Sequence, residues 1–155
     1  ILLPAVYLFG GVRLSWTILL LPLVVAIQVL LALGLSFFVA MGNVFFRDLS
    51  ILMEVILMGW FYMTPVFYPL RYAWDKMQPH PVILNLYLAN PMTPIIYAYR
   101  RVLLHSVPQA ERFPLPLSDG QAAKYLLFSL AFSLIVFILG FLFFKRCQRY
   151  VEDYL

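Results

Sequence analysis

Apolar residues run along this chain in long blocks, broken by short polar or proline-rich stretches. Thr17 to Met41 carries no charge, Leu49 to about Leu70 carries only Glu54, and Ala122 to Phe144 forms a third block. Each reaches the ~20 residues that a helix needs to cross a bilayer. The pattern therefore predicts an all-α membrane protein with spans over 17–41, 49–70 and 122–144. Ile1 to Phe9 is apolar but too short to span and lacks the charged start and cleavage site of a signal peptide. It is expected to be the end of a truncated helix, and the chain the C-terminal part of a longer protein. Gly10 to Ser15 is a tight connection.

Within the first span, Gln28, Ala32, Ser36 and Ala40 recur every four residues. Small residues at that spacing let helices pack closely in lipid, and Gln28 can hydrogen-bond across the contact. Gly42-Asn43 is expected to end this helix, and Asp48 or Ser50 to cap the next. Pro65 and Pro69 should kink or end the second span. The region 71–121 is too polar and proline-rich to cross. In it, Val82 to Ala89 is short and apolar, Asn90-Pro91-Met92-Thr93-Pro94 is a turn with Thr93 as N-cap and Pro94 as the first helical residue, and Ile95 to His105 is a helix. Its apolar side is Ile95, Ala98, Tyr99, Val102 and Leu103, with Arg100, Arg101 and His105 towards the other. At that length it should lie in the interface or dip in and out. His105 to Leu117 is loop. Ser118 and Gln121 have the spacing of a capping box that opens the last span. Lys145, Arg146 and Arg149 close that span as a basic collar, and 145–155 is a tail.

Composition sharpens this picture. Hydrophobic residues make up 64% and charged residues 12%, too little polar surface to cover a soluble globule. The net charge of +4 sits at the ends of apolar runs, where anionic headgroups lie, so it points to membrane lipid and not to nucleic acid. Cys147 has no internal disulfide partner, and His80 and His105 lack ligands at metal-site spacing. No Gly-rich phosphate loop, paired carboxylates or nucleophile–base pair suggests catalysis. The chain is thus expected to be no enzyme and to hold no cofactor or metal.

A few side chains carry more meaning. Glu54 is acidic within a span, where a carboxylate is costly unless paired or protonated. Arg47 lies seven residues earlier on the same face, so the two form either a structural charge pair or part of an ion relay. Trp60, Phe61, Tyr62, Phe67 and Tyr68 make the second span unusually aromatic. They fit an interfacial belt or a path for sugar, because flat rings stack on pyranose C–H faces. Glu54, Met58, Phe61, Pro65 and Tyr68 fall roughly on one stripe. Arg100 and Arg101, with Tyr97 and Tyr99, can meet an anionic substrate or a lipid phosphate. Charge alone does not decide the topology, since both the tail and the 71–121 region are basic.

Gly42-Asn43-Val44-Phe45-Phe46-Arg47-Asp48-Leu49 resembles the cytoplasmic turn of ABC-2 type permeases that export polysaccharides, the O-antigen, capsule and teichoic-acid exporters. Trp60-Phe61-Tyr62-Met63-Thr64-Pro65-Val66-Phe67-Tyr68-Pro69 is similar to that family's aromatic helix end. Asn90-Pro91 before a short helix with Arg100, and the final basic collar, follow in the family's order. Arg47, Asp48, Pro65, Tyr68, Pro69, Asn90 and Pro91 carry the resemblance. It implies the end of span three and spans four to six of a six-span permease, with the 44–48 turn and the 145–155 tail cytoplasmic and 71–121 outside. It implies a homodimer in the bacterial inner membrane, working with a separate ATPase subunit that binds ATP and magnesium, and a lipid-linked polysaccharide or polyol phosphate as cargo. Phe61, Tyr62, Tyr68, Trp60, Tyr97 and Arg100 become the expected substrate path. An ABC-2 permease for a drug or lipid, and an ion-coupled carrier or membrane enzyme centred on Glu54, are the competing expectations.

Overall fold

A computed structural model describes residues 16–46, 48–68, 70–104 and 117–152, less the side chains of 16, 17, 70, 104 and 149–152. A 3-10 turn, Trp16–Leu20, leads into α1, Leu21–Phe45. The helices α2, Leu49–Met63, α3, Leu70–Met77, α4, Pro81–Leu88, α5, Met92–Leu104, and α6, Asp119–Glu152, follow, with no strand among the described residues. The all-α membrane architecture expected from the apolar blocks is present.

Ile18–Phe45 and Asp119–Gln148, 28 and 30 residues, are long and apolar enough to cross a bilayer. The block expected to span as 49–70 behaves differently: its helix stops at Met63 after 15 residues. At 1.5 Å per residue that is ~22 Å, short of a ~30 Å hydrocarbon core. Pro65 explains the stop, because it has no N–H to donate and forces the preceding residue out of helical geometry. Thr64 is accordingly extended, at φ −92° and ψ 136°. α1, by contrast, runs past Met41 to Phe45. Gly42 does not end it; its bare Cα makes room for the Leu49 side chain at the start of α2. Asp48 precedes α2 without a side-chain capping bond.

α1 and α6 run parallel and pack along their length. The seam on α1 is Val24, Ile27, Leu31, Gly34 and Met41, three, four, three and seven residues apart, so that it stays on one face. Gly34 touches the Val136–Phe137 backbone, where an added Cβ would lie 2.7 Å from the Phe137 nitrogen; one on Gly140 would lie 2.5 Å from the Gly34 oxygen. Close packing therefore rests on Gly34 and Gly140. Of the expected small-residue stripe, Ala32, Ser36 and Ala40 are exposed. A strict four-residue repeat drifts ~40° per step on a 3.6-residue helix, so by Ala40 the stripe has turned away from α6. Below the glycines, the Phe37 ring lies 5.4 to 5.9 Å from Phe137, Phe141 and Phe144, and Phe38 stacks on Phe143.

α4 and α5 form a hairpin that packs at the α4 end against α3 and at the α5 end against α1 and α6. Ile95 and Ala98 join Val24, Ile27 and Leu31 in one buried cluster, and Ala73, Tyr87, Leu88, Tyr97 and Leu117 form a second. The Ser129 hydroxyl donates to the Pro91 carbonyl at the hairpin tip, 2.9 Å. Ser129 stands ten residues into α6, ~15 Å from its start, so the hairpin dips in along the bundle. Of the apolar side expected for α5, Ile95, Ala98 and Val102 are buried and Tyr99 and Leu103 half-buried, and Tyr97 is buried as well. α5 begins at Met92, ahead of the expected Thr93 cap, because the Asn90 side-chain oxygen accepts the Met92 N–H, 3.1 Å. Thr93 instead donates its hydroxyl to the Tyr87 carbonyl, 3.3 Å. The capping box is as expected: Gln121 N–H donates to Ser118 Oγ and Ser118 N–H to Gln121 Oε1, 3.4 and 3.1 Å, which starts α6 at Asp119.

Candidate functional site: the latched aromatic edge of α2

The chain after Met63 leaves helical geometry, so carbonyls that a continued helix would satisfy need other partners. They find them partly within the segment and partly in the hairpin. Thr64 bonds back to the Trp60 carbonyl, 2.9 Å, and accepts from the Asn90 side-chain N–H₂, 3.2 Å. The Trp60 indole N–H donates to Asn90 Oδ1, 2.9 Å. Asn90 thereby joins the end of α2, the turn after it and the start of α5. Arg100 adds a second tie, donating to the carbonyls of Val66 and Tyr68, 2.8 and 3.0 Å. The Tyr87 hydroxyl donates to that of Tyr68, 3.2 Å, and Tyr68 donates weakly to the Tyr62 carbonyl, 3.4 Å.

Burial dominates the electrostatics here. It pushes the Tyr87 phenol well above its usual range, helped by Tyr68 and opposed by Arg100. Burial also raises Tyr97, opposed by Arg101 and by the bond to Leu117, and it lowers Arg100. The phenols thus remain neutral hydrogen-bonding groups at ordinary pH.

In front of this latch lies an aromatic edge. Phe61, Tyr62 and Phe67 are 42, 61 and 75% exposed, and Phe61 packs edge-on against both neighbours at 5.9 and 5.0 Å. Of the residues expected on a substrate path, the structure leaves Phe61 and Tyr62 open and Tyr68 half-buried. Trp60 is half-buried and bonded to Asn90. Tyr97 is 3% exposed and donates to the Leu117 carbonyl, 3.0 Å. Arg100 is committed to backbone carbonyls, and Arg101 pairs with Asp119. Neither arginine is arranged as a free anion contact. The stripe from Glu54 through Met58 to Phe61 is exposed, but Pro65 is buried, because helical spacing no longer applies past Met63. Glu54 stands exposed on α2. Arg47, and with it the expected Arg47–Glu54 pair, lies outside the described residues, as does Pro69.

The Asn90 latch was not foreseen from sequence. Asn90-Pro91 marks a turn, but nothing local names a partner 30 residues away. The tie between Gln28 and Tyr99 was half foreseen: Gln28 does bond across a helix contact, accepting from the Tyr99 hydroxyl at 2.7 Å.

The chain is 37% identical over 98 residues to the O-antigen export system permease protein RfbA of Myxococcus xanthus. The aligned stretch is 63% of this chain and 36% of that protein, so the chain spans about a third of its relative's length. No solved structure matches it. A family model of the ABC-2 type transporter matches residues 1–104. Two thirds of the chain, including α1, α2 and the hairpin, thus carries that signature, and the chain belongs to the ABC-2 type transporter family.

Proposed function

We propose that this chain is part of the permease of an ATP-driven exporter that moves a lipid-linked polysaccharide or polyol phosphate across the bacterial inner membrane. The permease pairs with a second copy and with a separate ATPase subunit, where ATP and magnesium bind. The observation that carries the reading is the open Phe61–Tyr62–Phe67 edge, held from behind by the Asn90 and Arg100 ties. Flat rings fixed in place offer stacking faces for pyranose C–H surfaces at little ordering cost. Similarity to an O-antigen export permease supports a glycan as cargo.

Two experiments test this. Mild-detergent purification of the full-length permease should recover an ATPase subunit at equal stoichiometry; clean recovery without one, from membranes that contain it, overturns the exporter. Alanine at Phe61 and Tyr62 should slow glycan export while leaving ATP hydrolysis intact. Unchanged export in the double variant returns these rings to an interfacial belt.

A further inference from the structure

A cavity of about 490 Å³ opens between α4 and the start of α6, away from the aromatic edge. Its volume falls in the ~300–1,000 Å³ range of small-ligand sites. The lining is Asn85, Leu88 and Ala89 from α4, and Gln121, Lys124, Tyr125 and Phe128 from α6. These residues are graded along the helices. α4 enters the bundle towards the hairpin tip, so Asn85 lies a turn above Leu88 and Ala89. On α6, Gln121 lies nearest the capped helix start, Lys124 and Tyr125 one turn deeper, and Phe128 a turn below them. Along the helices the polar Asn85, Gln121 and Lys124 thus precede the apolar Leu88, Ala89 and Phe128, in the order that the headgroup and acyl regions of a leaflet present.

Lys124 is an exposed cation ~7 Å along α6 from its start. No carboxylate lines the cavity. The nearest acid along the helix, Asp119, is paired with Arg101. Lys124 therefore faces an amphiphilic cavity with its charge unmatched among the described residues.

We infer that this cavity binds one anionic glycerophospholipid, with its phosphodiester on Lys124, its headgroup against the Asn85 amide and the Gln121 side-chain N–H₂, and its first acyl carbons over Ala89, Tyr125 and Phe128. Charge matching selects this occupant. One lysine balances the single negative charge of a phosphodiester, whereas a lipid diphosphate brings more charge than the cavity can neutralise. An ammonium held near the membrane surface strengthens attraction to anionic lipid several-fold. The occupant fills the wedge between the hairpin and α6, so it stabilises the packing of the re-entrant segment. The inference stands apart from the identity of the exported cargo.

The test is native mass spectrometry of the full-length permease, titrated in detergent with phosphatidylglycerol, phosphatidylcholine or a polyprenyl diphosphate. Lys124→Gln should weaken phosphatidylglycerol retention about five- to tenfold, Lys124→Arg should restore it, and phosphatidylcholine retention should stay as in the wild type. Ala89→Phe keeps Lys124 but fills the cavity, and it should lose the same lipid. Equal phosphatidylglycerol retention in the wild type and Lys124→Gln overturns the inference. So does loss in Lys124→Gln but not in Ala89→Phe, which assigns Lys124 to the bulk headgroup layer. A Lys124-dependent site that prefers the polyprenyl diphosphate overturns the choice of a glycerophospholipid. If Lys124→Gln fails to elute as folded protein, Ala89→Phe and Lys124→Arg decide.

Discussion

Replacing Asn90 with alanine removes three hydrogen bonds at once: Trp60 Nε1–H to Oδ1, Met92 N–H to Oδ1, and the side-chain N–H₂ to Thr64. Measured side-chain bonds within membranes average ~0.6 kcal/mol, and bonds in protein interiors contribute ~0.5–1.5 kcal/mol. Three bonds give about 2–4 kcal/mol. The loss is local, because Asn90 touches α2 and the hairpin while the α1–α6 seam rests on Gly34, Gly140 and the phenylalanine ladder. Hydrogen exchange of the full-length permease in detergent should report it. A cost of 2 kcal/mol or more predicts exchange ~30-fold faster across 85–97, with mid-α1 and mid-α6 unchanged. Trp60→Phe removes one of the three bonds and should give a smaller effect, and the double variant should cost less than the sum of the singles. Exchange within threefold of the wild type in Asn90→Ala refutes the latch, as does equal acceleration along α1 and α6.

Other outcomes follow from the same geometry. Gly140→Leu places a side chain against the Gly34 backbone and should destabilise the full-length protein by ~1–3 kcal/mol or more in thermal melts, while Gly120→Ala, with nothing within 4 Å, should be nearly neutral. Burial raises the folded-state Tyr97 phenol above its unfolded value, so its contribution is complete below pH ~10 and is lost as pH rises beyond that; the wild-type melting temperature should fall at alkaline pH, and Tyr97→Phe should flatten that fall. Glu54→Gln should retain ATP-dependent export in a stably expressed protein, and abolished export at every pH would instead favour a carrier centred on that carboxylate.

The sequence was most informative where one local rule acts alone. Long apolar blocks predict α1 and α6, Ser118 and Gln121 predict a cap that forms, and the spacing of Ile95, Ala98 and Val102 predicts the buried side of α5. It was least informative where distant segments decide. Leu49 to Leu70 is apolar enough to span, yet Pro65 turns the backbone, and the hairpin takes up the groups it releases. Tyr97 and Arg100 look like ligand contacts by residue type. In the fold their polar ends serve the Leu117, Val66 and Tyr68 carbonyls. The Gly34–Gly140 crossing joins residues over a hundred positions apart, and neither glycine has a local feature that names its partner.

The short α2 and the re-entrant hairpin are one structural solution. A helix that stops ~8 Å short of the hydrocarbon thickness exposes backbone groups that lipid cannot satisfy. Thr64 and Arg100 satisfy the Trp60, Val66 and Tyr68 carbonyls within protein, and Asn90 holds the Trp60 and Thr64 side chains, which ties residues 60–68 to the hairpin. The hairpin is in turn tied to α1 through Tyr99 and Gln28, to α6 through Ser129 and Pro91 and through Arg101 and Asp119, and to the residues just before α6 through Tyr97 and Leu117. The exposed aromatic edge therefore rides on an element anchored to both long helices. A displacement of α6 relative to α1 has to strain the Tyr99 or Ser129 ties or carry the hairpin with it, and with the hairpin go Phe61, Tyr62 and Phe67. That linkage gives the aromatic edge a physical route to follow the movements of α1 and α6.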